Sequence, residues 1–241
     1  MTKRPAARRS MHAGQTRSPR GARRLAAAAA AMVVGCAWGA SAPEAVTSCS
    51  FGAFVQENDP AGLNVRSAPG IASRVLGTLP PGVVDHANGD FVARVELDVL
   101  GVSADGWFRI ARARDNEALT GRPARAVFAG EGWVGGRKLT VKSQASMGYA
   151  KPDPRSELRL RLGDGESFDN DAMVTAGQLI DCDGKWARVE FAEDRLPADV
   201  RTALVVAPAA RAGLVAGHYR AWVDRICGVQ ETSCDAEAAS H

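Results

Sequence analysis

A tryptophan-centred motif occurs twice in this chain, and this repeat is the strongest constraint on its fold. The first copy holds Gly106-Trp107-Phe108-Arg109-Ile110 and later Gly132-Trp133-Val134. The second copy holds Gly184-Lys185-Trp186-Ala187-Arg188-Val189 and later Ala221-Trp222-Val223. An internal repeat predicts two related folding units, each built from the same order of turns and extended segments.

Both units have the patterns of antiparallel strands. Residues 91–99 alternate between apolar and charged side chains, which is typical of a strand with one buried face. The apolar positions are Phe91, Ala93, Val95, Leu97 and Val99, and the charged positions are Arg94, Glu96 and Asp98. The Asn-Gly pair at 88–89 and the Asp-Gly pair at 183–184 are strong hairpin signals. Because helical patterns are few, the sequence predicts an all-β fold.

The N-terminal residues have the three parts of a secretory signal. Residues 1–35 carry eight basic residues and no acidic one, and Arg23 and Arg24 directly precede an apolar run that extends to Gly35. This run is too short to span a bilayer, and small residues follow it. The sequence therefore predicts export, with residues 1–35 as the signal peptide.

Two processing sites compete after this run. Val33-Val34-Gly35-Cys36 resembles the lipobox of bacterial lipoproteins, in which the cysteine is lipidated and anchors the mature protein to a membrane. Ala40-Ser41-Ala42 resembles an ordinary signal-peptidase site, which would extend the signal to residue 42. The first site predicts lipidation of Cys36 and a lipid-anchored periplasmic protein, and the second predicts a soluble periplasmic or secreted protein.

Removal of the signal changes the charge of the chain. The full sequence has 30 basic and 27 acidic residues, and 22 basic against 27 acidic residues remain after residue 35. A net acidic folded part lacks the basic face that nucleic-acid binding requires. We therefore expect no nucleic-acid partner.

Four cysteines remain once Cys36 is lipidated or removed, and an even number in an exported chain predicts disulfides. Cys227 and Cys234 enclose only six residues, so a local bond between them is the first expectation, which leaves Cys49 with Cys182. Four cysteines allow three pairings, and the sequence alone does not choose among them.

The opening of the first copy, Leu63-Asn64-Val65-Arg66-Ser67-Ala68-Pro69-Gly70, resembles the bacterial SH3-like domain, a small antiparallel barrel. Residues 75–82 match the second strand and turn of that family, and the two tryptophan motifs match its third and last strands. The second copy departs from this pattern, because Leu160-Arg161-Leu162-Gly163 replaces the opening and a long insertion follows Glu193. Its residues 173–177 are expected to correspond to 75–82.

The resemblance implies two small SH3-like antiparallel barrels in tandem after a cleaved signal peptide. The expected parts are residues 51–142 for the first domain, 143–150 for a linker, 151–234 for the divergent second domain and 235–241 for a tail. Trp133 and Trp222 are expected in the two cores, because the strand that contains them closes the barrel in this family.

Outward-facing tryptophans and arginines are the candidate ligand contacts. Alternation along the strands at 107–110 and 186–189 turns the tryptophan and the arginine of each copy outwards. A tryptophan beside an arginine is a plausible contact for a sugar ring or a peptide. With two residues that the resemblance adds, the candidates are Asn64, Arg66, Trp107, Arg109, Trp186 and Arg188. The alternative is that each tryptophan packs under a loop or against the other unit.

The sequence contains no motif for catalysis, a metal or a cofactor. Because the two expected domains fill the exported part, we expect no enzyme. The resemblance implies an envelope protein that binds peptidoglycan through its glycan or its stem peptide, with the membrane as a second partner through the lipid anchor. The alternative is a periplasmic protein-interaction module, such as an inhibitor or an immunity-type factor, whose partner is an envelope protein.

Overall fold

The structure is a computed structural model, and it describes residues 45–85, 91–163, 165–230 and Cys234. Several sequence-based predictions lie outside the described residues: the signal peptide at 1–35, lipidation at Cys36, the cut after Ala42, the Asn-Gly pair at 88–89 and the tail at 235–241. These predictions remain untested.

Strands dominate the described part of the chain. The first half contains β1 Val46–Val55, β2 Leu63–Arg66, β3 Val75–Leu79, β4 Val83–Asp85, β5 Phe91–Ala93, β6 Glu96–Ser103, β7 Trp107–Arg114, β8 Gly132–Gly135 and β9 Leu139–Thr140. The second half contains β10 Lys142–Ser143, β11 Met147–Tyr149, β12 Leu158–Leu162, β13 Gly177–Asp183, β14 Trp186–Ala192, β15 Leu204–Val206, β16 His218–Val223 and β17 Ile226–Cys227. The described helices are short, namely α1 Glu117–Thr120, α2 Asp171–Ala176 and α3 Ala198–Ala203. The secondary structure is consistent with the predicted all-β class.

Two antiparallel sheets contain most of these strands. The strand order is β3-β2-β8-β7-β6-β1-β9 in the first sheet and β13-β14-β16-β11-β12-β15 in the second. β4 and β5 pair on either side of residues 86–90, and β10 pairs with β17. β13 and β14 form the hairpin that the Asp-Gly pair predicts, with a φ of +56° at Gly184.

A unit of five strands occurs in the same order in both sheets. The order β3-β2-β8-β7-β6 in the first sheet matches β12-β11-β16-β14-β13 in the second. The register agrees as well, because Trp133 lies opposite Arg109 and Trp222 lies opposite Arg188. The tryptophan correspondence in the sequence is therefore present in the strand pairing.

The second copy begins earlier than the sequence comparison suggests. Arg66 of β2 lies opposite Trp133, and the residue opposite Trp222 is Tyr149 of β11. The Leu-Arg-Leu segment, expected to replace the opening motif, belongs to β12 and takes the position of β3. The alignment is wrong at this point because β11 has only three residues, too few to show an alternating pattern.

Residues 173–177 are not the counterpart of the strand at 75–79. Most of them lie in α2, whose N-cap residue Asn170 accepts a hydrogen bond at Oδ1 from the Met173 N–H at 2.9 Å. Three residues of this helix are buried against the core. The asparagine cap and the apolar face favour a helical turn where a strand was expected.

The expected linker at 143–150 contributes to β10 and contains β11. Buried apolar residues of both sheets form one continuous cluster, which extends from Val65 and Phe108 in the first sheet to Leu179 and Phe191 in the second. The two halves therefore share their core. The division into two domains and the closure of either sheet into a barrel stay predictions.

The predicted strand at 91–99 is divided into β5 and β6 at Arg94 and Val95. Two of its charged residues are buried, since Arg94 is 3% exposed and Glu96 is 2% exposed. Arg94 Nη2 donates to Thr175 Oγ1 at 2.8 Å, and Glu96 Oε1 accepts from the Gln230 N–H at 2.9 Å. The expectation of a solvent-facing polar side is wrong at these two residues, because remote segments cover them and supply hydrogen-bond partners.

Both disulfides have the pairing that was expected first. The Cα atoms of Cys49 and Cys182 are 6.0 Å apart, and those of Cys227 and Cys234 are 5.1 Å apart. The first bond joins β1 to β13 and hence one sheet to the other. Two disulfides indicate an oxidising, non-cytoplasmic compartment. Within the described ranges, no helix has the length and apolarity needed to cross a bilayer.

Candidate functional site

The predicted ligand contacts of the first sheet lie on its outer face. Arg66, Trp133 and Arg109 are cross-strand neighbours and form a row across β2, β8 and β7. Arg66 Nη1 donates to the Ser73 carbonyl at 2.8 Å, and Arg109 Nη2 lies 2.5 Å from Glu131 Oε2. Both arginines of this row therefore already have partners.

The other two candidates of the first sheet, Asn64 and Trp107, do not belong to this row. Asn64 is exposed on β2. Trp107 lines a cleft of about 460 Å³ together with Leu179 and Ile180 of the second sheet. Trp107 therefore lies near the second sheet, with an open cleft between them.

The corresponding row of the second sheet consists of Tyr149, Trp222 and Arg188. The Arg188 guanidinium carbon lies 5.9 Å from the centroid of the Trp222 ring, within cation–π range. Trp186 meets Tyr149 edge to face, with ring centroids 6.0 Å apart. The structure thus brings the predicted residues Trp186 and Arg188 together with two further aromatic rings.

Trp133 is half-buried and lies outside the core, so the expectation for it is wrong, whereas Trp222 is buried as expected but lies outside the continuous core cluster. Their neighbours Val134 and Val223 belong to the core cluster, so strand alternation turns both tryptophans outwards. Trp222 is nevertheless only 9% exposed. Its burial comes from a segment that lies over the outer face of the sheet.

A pocket of about 170 Å³, which we call the arginine pocket, lies between this segment and the sheet. Its lining includes Tyr149, Arg159, Arg188, Arg220, Trp222 and Ala212. Three guanidinium groups thus surround a small space, and no acidic side chain is among its described lining residues.

The arginines of the pocket have few partners. Arg188 Nη1 lies 3.9 Å from Asp181 Oδ2, and Arg159 Nη2 lies 3.2 Å from Glu157 Oε2. Arg159 Nη1 is buried and has no hydrogen-bond partner among the described residues, and no ion pair within this part of the chain involves Arg220. A buried donor without a partner costs about 1–3 kcal/mol, which a bound acceptor would recover.

Repulsion between neighbouring arginines adds to the free-energy cost of the unpaired donor. Partial burial and the like charge of Arg220 lower the pKa of Arg188 from its ordinary value, whereas the carboxylates of Asp181 and Glu190 raise it. Arginine keeps its charge at neutral pH all the same. A carboxylate or phosphate in the pocket would neutralise these groups and accept charge-assisted hydrogen bonds from them.

The long insertion of the second copy covers the pocket. Its β15 pairs with β12, and the Ala207 N–H donates to the Arg159 carbonyl at 2.9 Å. Pro208 then begins a 3₁₀ turn, after which Ala212 reaches the pocket wall. The equivalent row of the first sheet is more open, since the Arg109 side chain is 46% exposed and that of Arg188 is 33% exposed.

Three polar residues of the pocket, Tyr149, Arg159 and Arg220, were missed in the sequence. Arg220 could have been found, because it shares the outer parity of β16 with Trp222. Tyr149 and Arg159 could not, because their position depends on how β11 and β12 pair with the rest of the sheet. Strand register is the information that the sequence lacks here.

The arrangement can bind an anionic group beside an aromatic surface. In the part of the chain that the structure describes, no group of three or more histidine, cysteine, aspartate or glutamate side chains is placed to hold a metal ion. Comparison of the chain with protein-family models, curated proteins and solved structures finds no match. The function is therefore argued from the site itself.

Proposed function

We propose that this chain is an exported, non-catalytic protein of the cell envelope that binds peptidoglycan through the arginine pocket. The observation that carries the proposal is the group of three arginines beside Trp222, one of which has a buried donor without a described partner. Such a site gains free energy from an anion and offers an aromatic surface next to it.

Peptidoglycan has both chemical groups that this site would contact. Its stem peptides carry carboxylates, and its glycan presents sugar rings. A carboxylate would accept hydrogen bonds from Arg159, Arg188 and Arg220, while a ring would stack on Trp186 or Tyr149. The pocket is smaller than a typical whole-ligand site, so its volume of about 170 Å³ suits one anionic group of a larger polymer.

In this proposal the two five-strand units are divergent copies of an SH3-like module. Their common strand order and the matching arginine–tryptophan register support a shared origin. The protein would be periplasmic and attached to the membrane through lipidated Cys36. The two disulfides are compatible with that location.

Co-sedimentation of the purified mature chain with isolated peptidoglycan sacculi tests the proposal. Arg188→Gln combined with Arg220→Gln removes two cations of the pocket, and Arg161→Gln is the matched control. Arg161 is exposed on β12 and does not line the pocket. Because a hydrogen bond to a charged group contributes about 1.5–3 kcal/mol, the double variant should bind at least about tenfold more weakly.

The control should bind like the unchanged chain. Absence of sedimentation of the unchanged chain at low ionic strength would refute peptidoglycan binding. Equal retention of the double variant would refute the arginine pocket as the site.

The alternative is that the partner is an envelope protein. One feature of the first sheet favours this alternative. Trp133 is half-buried beside the exposed Arg109–Glu131 pair, and tryptophan and arginine are common centres of protein interfaces. A photoreactive residue at position 133 should then crosslink to one envelope protein in intact cells. A crosslink to sacculus fragments alone would support peptidoglycan instead.

A further inference from the structure

A second cationic site lies where β1, β6 and β7 meet the turn between β13 and β14 and the turn between β16 and β17. It is a groove of about 470 Å³, which we call the cationic groove. The residues that matter here are Phe51, Leu100, Arg112, Lys185, Arg225 and Ile226. None of them lines the arginine pocket.

Two residues of this groove have an unusual backbone conformation. Within the described ranges, Arg112 at φ +51° and Arg225 at φ +53° are the only residues other than glycine with positive φ. Residues with side chains rarely adopt this region, and such outliers concentrate at functional sites. Both outliers of this chain line the same groove.

Glycine would suit both positions. Arg112 lies in a β-bulge of β7. Ala111 pairs with Asp98 and Arg114 pairs with Glu96, so an advance of three residues along β7 spans an advance of two residues along β6. At Arg225 the backbone carbonyl accepts the Gln144 N–H at 3.0 Å, a contact that any residue can make. An arginine in place of the favoured glycine indicates that the side chain itself is used.

The charges of the groove are only partly neutralised. Arg112 forms an ion pair with Asp98, and Arg114 Nε lies 3.0 Å from Glu96 Oε2. Lys185 and Arg225 are exposed, and neither has an ion pair with another described residue. Two cations are therefore free to meet an anionic ligand.

The groove also offers apolar surface. Phe51, Leu100 and Ile226 line it and are each half-buried. A free phosphate ion would use the charges and leave this surface exposed. A peptide with acidic and apolar side chains in succession would use both.

We propose that the cationic groove binds an acidic segment of a partner protein. Its carboxylates would contact Lys185 and Arg225, and an apolar side chain between them would pack on Phe51, Leu100 and Ile226. Salt should weaken the binding, because exposed charges are screened. This inference is independent of peptidoglycan binding at the arginine pocket.

Fluorescence anisotropy of a labelled pentapeptide of alternating glutamate and leucine, titrated with the mature chain, tests the proposal. Arg225→Gly should weaken binding about tenfold, since a charge-assisted contact is lost. Its thermal midpoint should be unchanged or higher, because glycine suits the positive φ. Lys185→Ser should weaken binding as well. The matched control Arg122→Gly, in an exposed loop, should bind like the unchanged chain.

A pentapeptide with lysine in place of glutamate should not bind. The proposal is overturned if the unchanged chain does not bind the acidic peptide, or if Arg225→Gly and Lys185→Ser bind it like the unchanged chain. Binding to phosphatidylglycerol vesicles that Arg225→Gly abolishes, without peptide binding, would assign the groove to a lipid and overturn the peptide. Sacculus binding should stay normal in Arg225→Gly, so this test and that of the arginine pocket fail separately.

Discussion

The disulfide between the two sheets should contribute much more stability than the local one. Cys49 and Cys182 are 133 residues apart in sequence, whereas Cys227 and Cys234 are 7 apart. In the loop-entropy model these closures are worth about 5 and about 2 kcal/mol at 25 °C. For a domain of this size, the double alanine variants should therefore lower the thermal midpoint by about 10–20 °C and about 4–8 °C.

Reversible urea unfolding of the two double variants, Cys49→Ala with Cys182→Ala and Cys227→Ala with Cys234→Ala, measures the difference. Replacing both cysteines of a pair leaves no free thiol, and Cys49, Cys182 and Cys227 are nearly fully buried, so each variant changes at least one buried residue. The slope of the unfolding free energy against urea should rise more for the Cys49–Cys182 variant, because the unfolded chain without this long-range crosslink is less compact. If the two variants lose the same free energy of unfolding, or if the local pair loses more, the entropic reasoning is refuted. The association of the two sheets would then be assigned to their shared core.

Two further predictions concern single buried groups. The Arg125 guanidinium, which donates to Asp115 Oδ1 at 2.6 Å, holds the pKa of Asp115 below its ordinary value. The ionised Asp115 carboxylate stabilises the fold fully above about pH 4, and this contribution is lost as the pH falls through the lowered pKa. The free energy of unfolding should therefore fall less steeply with decreasing pH in Asp115→Asn than in the unchanged chain. Tyr219 has a buried hydroxyl without a described hydrogen-bond partner. Tyr219→Phe should leave the free energy of unfolding unchanged or raise it by up to about 1–3 kcal/mol, and a measured loss above about 1 kcal/mol would reveal a partner.

Features that depend on neighbouring residues could be predicted from the sequence. The Asp-Gly pair gives the β13–β14 hairpin, and the apolar parity of 91–99 gives the inward positions Val95, Leu97 and Val99. The short spacing of Cys227 and Cys234 gives the first expected disulfide pairing. Each of these rests on local geometry, which the chain specifies within a few residues.

Features that depend on remote segments could not be predicted. Alternation places Arg94 and Glu96 on a common face, but their burial is decided by Gln230, far along the chain. The three residues of β11 are too few to indicate a strand, although Tyr149 fixes the register of the second copy. Cover and register are properties of the assembled fold, and this is why Tyr149 and Arg159 of the arginine pocket were missed.

The two equivalent rows show why the same residues can differ in binding. In the first sheet the exposed Arg109 is neutralised by Glu131, and a surface pair of this kind contributes only about 0–1 kcal/mol. An anion there would have to displace an existing partner in water. In the second sheet the insertion covers Arg188 and leaves it near Arg220, so that its charge is less solvated and less well paired. An anion therefore gains more free energy beside Arg188 than beside Arg109, even though the repeat gives both arginines the same place next to a tryptophan.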